Sequence, residues 1–91
     1  MRTIWKDSKY PDLYLEPGER IRGFSPYSTT QSLRSGFDRI TFQVGAIRFN
    51  VFVTREHAAK IYNCDPPVSR HDIIEARGTE KGIFFKIVER A

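Results

Sequence analysis

Cysteine is almost missing from this chain. Cys64 stands alone, so no internal disulfide forms, and a reducing cytoplasm is the simplest setting, or a host's cytoplasm if the chain is viral. Histidine is nearly as scarce. One Cys with His57 and His71 cannot assemble a cysteine-based zinc site, and no metal or other cofactor is expected. The two histidines lie outside any HExxH pattern and beside no nucleophile signature. No glycine-rich phosphate loop is present. Asp72 and Glu75 fall three apart on an expected strand, so they point to opposite faces and make no acid–base pair. Catalysis is therefore not expected. No apolar run approaches the roughly 20 residues of a membrane helix, and the N-terminus has no apolar signal core, so no membrane association is expected.

What is present fits one small folded domain. The chain has 91 residues, 40% of them hydrophobic and 29% charged, an ordinary balance for a packed protein. The net charge is +4, and its placement matters more than its size. Between Arg20 and Thr54 stand Arg20, Arg22, Arg34, Arg39 and Arg48, against the single acid Asp38. That stretch carries the whole excess. Ten of the fifteen cations are Arg, the side chain suited to phosphate forks and to stacking on planar rings. A local excess of this kind favours an anionic partner, although solubility alone also explains it.

Residues 39–54, Arg-Ile-Thr-Phe-Gln-Val-Gly-Ala-Ile-Arg-Phe-Asn-Val-Phe-Val-Thr, read as a β-hairpin. Apolar and polar residues alternate, as a strand with one buried face requires. A two-residue turn at Gly45-Ala46 suits type II′, with Gly where φ must be positive. That register opposes Val44 to Ile47, Phe42 to Phe49 and Ile40 to Val51, all on one inward face. The outward face then carries Arg39, Thr41, Gln43, Arg48, Asn50 and Phe52, with no acid among them.

Around the hairpin the pattern is of short elements. Residues 1–18 form an arm, with an extended piece near 3–6 and a short strand near 13–15. Glu19 to Phe24 reads as a strand in which Gly23 marks a bulge or bend. Ser25 to Gly36 is a loop by composition, part of which extends a strand near Thr29 to Leu33. Thr54 is placed to cap a helix over Arg55 to Asn63, which Asp65-Pro66-Pro67 stops. Asp72 to Arg77 and Ile83 to Arg90 are the last strands, joined by a turn from Gly78 to Gly82.

This order resembles the OB-fold, a five-stranded Greek-key barrel. The likeness rests on Gly-Ala-Ile-Arg-Phe-Asn-Val-Phe-Val-Thr, the helix after it, and Asp-Ile-Ile-Glu-Ala-Arg-Gly-Thr-Glu-Lys-Gly-Ile-Phe-Phe-Lys-Ile-Val-Glu-Arg. These look like strand three, the inter-strand helix and the strand four to five hairpin. The expected fold is a small five-stranded OB-like barrel over 19–91, with one short helix between strands three and four. Ser69-Arg70-His71 departs from the glycine that often opens strand four, so an SH3-like barrel or a roll with an extra N-terminal strand is the structural alternative.

The resemblance implies binding of single-stranded DNA or RNA, with DNA favoured and little sequence preference. Such a role suits replication, repair or a small viral accessory protein. The implied interface is strands two and three with the flanking loops. It would be drawn from Arg39, Gln43, Arg48, Asn50 and Phe52 on the hairpin and Tyr27 and Arg34 in the first loop. Arg20, Arg22, Lys81, Phe84 and Lys86 complete the candidates. Trp5 reads as a packing anchor and Cys64 as a small buried hydrophobe. Homodimerisation through edge strands would lengthen the strand covered. The alternative function is a protein-interaction or regulatory module on the same scaffold.

Overall fold

A computed structural model of the chain describes residues 1–6, 9–25, 30–32, 35–63 and 68–91, the segment 30–32 by its backbone only. Tyr27, Arg34, Cys64 and the Pro66-Pro67 pair lie outside the described residues. The elements in chain order are β1 (Arg2–Ile4), β2 (Asp12–Tyr14), β3 (Arg20–Gly23), β4 (Thr30–Ser32), β5 (Phe37–Val44), β6 (Ile47–Thr54), α1 (Arg55–Tyr62), β7 (Ile73–Thr79) and β8 (Gly82–Glu89). The fold is mainly β with one short helix.

The strands make two sheets, in the orders β1-β2-β6-β5-β4 and β3-β7-β8. This corrects the expected five-stranded barrel. Among the described residues no closed barrel forms: one isolated bridge, Phe24 to Gln43, ties the sheets together, and β6 lies near β8 without a ladder between them. The helix follows the sixth strand, not the third. The arm supplies two extra strands, and the Ser/Thr-rich stretch leaves β3 and β4 as separate short pieces on different sheets. No described helix is long and apolar enough to cross a membrane.

The central hairpin has the register its alternation requires, with Val44 opposite Ile47, Phe42 opposite Phe49 and Ile40 opposite Val51. Gly45 has φ of 60° and Ala46 is not positive, which is the type II′ pattern. Ile40, Phe42, Phe49, Val51 and Val53 are buried against Ile74, Ala76, Ile83 and Phe85 of the second sheet. Ile47 departs from the inward expectation. It sits at the hairpin tip, directly after the turn, and is 58% exposed.

Gly23 is where the sheets meet. A Cβ there would stand 2.2 Å from the Gln43 carbonyl oxygen and 2.9 Å from the Phe42 ring. Only glycine lets β3 lie this close to β5. The next residue then exchanges backbone bonds with Gln43, Phe24 N–H to Gln43 O at 2.8 Å and Gln43 N–H to Phe24 O at 2.7 Å.

The helix forms where its cap requires. Thr54 Oγ1 accepts from His57 N–H at 3.3 Å, and Ala58, Ile61 and Tyr62 turn toward the core. His57 in turn accepts the Phe85 N–H on Nε2 at 2.7 Å, so the helix satisfies a donor on β8. A protonated imidazole has no lone pair there. Burial, and then the Lys60 charge, hold the His57 pKa below its ordinary value. The unfolded chain thus takes up this proton at higher pH than the folded one. The stability tied to neutral His57 is complete above about pH 6.5 and drains as pH falls below it. Thermal unfolding should therefore show Tm falling between pH 7 and pH 5. His57→Leu is expected to flatten that slope at a lower plateau. An unchanged slope in that variant would remove His57 as the cause.

Candidate nucleic-acid interface

The alternation that buries one face of the hairpin presents the other. Arg39 stands opposite Phe52, Thr41 opposite Asn50 and Gln43 opposite Arg48, all on the side away from the core. Asp38 points the other way, is buried, and pairs with Arg55 Nε at 3.2 Å. Asp38 and Arg39, adjacent in the chain, therefore point to opposite sides of the sheet, as successive strand residues do.

The arm completes this face. β2 runs parallel to β6 with Asp12 beside Asn50, and β1 pairs with β2 so that Arg2 opposes Tyr14. The Arg2 guanidinium lies 5.2 Å from the Tyr14 ring centroid, within cation–π range. Leu13 is turned into the core, 1% exposed, which anchors the strand.

Asn50 is the latch between arm and hairpin. Its Nδ2 donates to Tyr10 O at 2.9 Å and to Asp12 Oδ1 at 3.2 Å, and its backbone N–H donates to Pro11 O at 2.8 Å. It is 5% exposed. The expectation that Asn50 faces a ligand is corrected: β2 covers it and its amide is spent on the arm. Asp12 is buried beside it and pairs with Lys6 Nζ at 3.6 Å.

Two open grooves run between the arm and the hairpin. One of about 670 Å³ is lined by Trp5, Tyr10, Pro11, Gln43, Ile47 and Arg48 among others. The second, about 310 Å³, is lined by Lys6, Tyr14, Ser35, Phe37 and Phe52. Neither has an acid among its described lining residues. Phe52 is half-buried, with the arm beside it and one side open to the second groove. Trp5 is 67% exposed, so it is not the packing anchor expected of it. Arg48 is held in place: its Nε donates to Gln43 Oε1 at 3.3 Å and its Nη1 to Tyr10 Oη at 3.4 Å, while Gln43 Nε2 donates to Gly45 O at 2.8 Å. The hydrogen bond from Arg48, with help from the Lys9 charge, draws the Tyr10 phenol below its ordinary pKa against the effect of burial. The surroundings of that hydroxyl favour negative charge.

The remaining candidates do not join this face. Arg20, Arg22, Phe84 and Lys86 sit on the outer side of the three-stranded sheet, where Arg20 opposes Arg77, Arg77 opposes Phe84, Arg22 opposes Glu75 and Glu75 opposes Lys86. The core lies between them and the hairpin's outer face. Arg22 Nε is 3.4 Å from the Glu75 carboxylate. Phe84 meets the His57 ring edge-on at 4.8 Å, so part of its face is taken by the helix. Lys81 is exposed on the turn between β7 and β8.

Trp5, Lys6, Tyr10 and Tyr14 thus join the face without having been assigned to it. The only sequence signal for them was the polar–apolar–aromatic run Asp12-Leu13-Tyr14, too short to establish a period. Among the described residues no group of three His, Cys, Asp or Glu side chains is placed to hold a metal ion. Comparison of the chain with protein-family models, with curated proteins and with solved structures gives no match.

Proposed function

We propose that this chain is a non-catalytic domain that binds single-stranded nucleic acid, DNA in preference, with little sequence specificity. The observation that carries the reading is the composition of one face. Phe52 and Arg48 of the hairpin stand with Trp5, Tyr10 and Tyr14 of the arm along two grooves that have no acid among their described lining residues, and Arg39 lies opposite Phe52 on the same face. Aromatic rings take unpaired bases at about 1–3 kcal/mol each, and arginines neutralise the backbone. A duplex keeps its bases stacked inside and offers only phosphates to such a face.

The connectivity supports the OB-like reading as well. β3 pairs with β7 and then bridges to β5, β5 and β6 form the hairpin, and β6 passes close to β8; beyond these lie the arm and the short β4 that pairs with β5. In OB-folds the corresponding hairpin face holds oligonucleotides. A cytoplasmic setting, and a homodimer that would lengthen the strand covered, belong to the same proposal.

The test is fluorescence anisotropy of a labelled oligo-dT at 50 and 200 mM salt, with a matching duplex as competitor. With about three phosphate contacts, the affinity should fall about twentyfold between the two salts. The duplex should displace the single strand poorly. No binding at the lower salt would sink the reading, and the exposed Trp5 and Ile47 would then be sought in a complex with a protein partner.

A further inference from the structure

We infer that the larger groove, between the N-terminal arm and the hairpin tip, is a seat for one unpaired base of the bound strand, with Trp5 as its stacking wall. This rests on the function proposed above and adds a place and a residue to it. Trp5 is the only tryptophan in the chain and stays 67% exposed, although the arm that carries it is fixed by the β1 and β2 ladders and by Asn50. A large ring held on a fixed strand end and left in water is arranged to cover something flat. Ile47, 58% exposed, gives the groove an apolar side at the hairpin tip.

Among the described residues the polar end of the groove is of one sign. Arg48 is fixed there by Gln43 and Tyr10, so its guanidinium is oriented before any ligand arrives. Lys9 Nζ lies 5.6 Å from the Tyr10 ring centroid and adds a second cation. Among the described residues no acid lines the groove. A ligand that fits must be planar and apolar on its faces and must carry negative charge at its edge. An unpaired nucleotide meets all three conditions, whereas an uncharged apolar peptide brings no negative group to the end of the groove where Arg48 is held. The volume of about 670 Å³ accommodates one base with its sugar and phosphate.

The lone tryptophan makes the seat directly observable. The full chain would be titrated with oligo-dT while its intrinsic fluorescence and the anisotropy of the labelled strand are followed together. Stacking at Trp5 predicts quenching that saturates with the anisotropy. Trp5→Ala is expected to weaken binding by about 5- to 150-fold, with Trp5→Phe in between. The indole is mostly in water, so neither variant should shift the unfolding midpoint appreciably. Anisotropy that rises while the emission stays constant, with Trp5→Ala binding as the wild type does, would overturn the seat and leave the nucleic-acid function standing. Failure of the wild type to bind the strand at low salt would remove both.

Discussion

Phe42→Ala should cost about 3–5 kcal/mol, a large part of the 5–15 kcal/mol that holds an ordinary domain folded. Phe42 has no exposed surface, and its ring centroid lies 5.4 Å from that of Phe85 across the space between the sheets. It is also the ring that Gly23 approaches from β3. Removing it leaves a void that the neighbours cannot easily fill. β3 is tied to β5 by the two bonds between Phe24 and Gln43, and β5 is locked into the long ladder with β6. Incomplete collapse of the site is what places large-to-small substitutions at the costly end of their range. Urea unfolding should show the midpoint drop with little change in slope. Phe52→Ala, on the half-buried outer face, is the comparison and should lose much less. A loss below about 1 kcal/mol at Phe42 would mean that the two sheets do not close on this ring.

The hairpin was readable because it is long. Eight residues on each side give four or so side chains per face, enough for a period of two to stand out, and Gly45 fixes where the chain reverses. The helix was readable from Thr54 and the prolines, and β7 and β8 from their apolar alternation. The arm was not. Three-residue strands place one or two side chains on a face, and the pairing of Asp12 with Asn50 spans a separation that no local pattern records. The consequence falls directly on the site. On the strand, Asn50 and Arg48 are both outward polar residues, yet one is sealed under β2 and the other lines a groove. Alternation tells which side of a sheet a residue is on, not what lies over it. The same limit separated Arg20 and Arg22 from the hairpin. Their outward direction was legible, but the sheet they belong to is set by the bend at Gly23 and by pairing with β7.

Asn50→Asp should remove about 3 kcal/mol or more at neutral pH, and single-strand affinity with it. The amide donates both to Tyr10 O and to Asp12 Oδ1, and a carboxylate can donate to neither. In its place two buried carboxylates would face each other, with Lys6 to answer only one. Such a pair cannot stay doubly ionised, so the folded variant holds a proton that the unfolded chain releases. The folded state then binds more protons than the unfolded, and the linkage makes the slope of stability against pH negative for this group. The deficit relative to the wild type should be smallest near pH 4.5 and grow toward pH 7.5. Asn50→Ala loses the same hydrogen bonds without adding a charge, so its deficit should be nearly constant over that range. Urea unfolding at the two pH values separates the cases. The binding loss follows from position, since Asn50 is too deeply covered to touch a ligand but fixes Tyr10 and the arm that carries Trp5. If Asn50→Asp matched the wild type at both pH values, the arm would not be latched through this residue, and the groove beside Arg48 would have lost the wall that makes it a site.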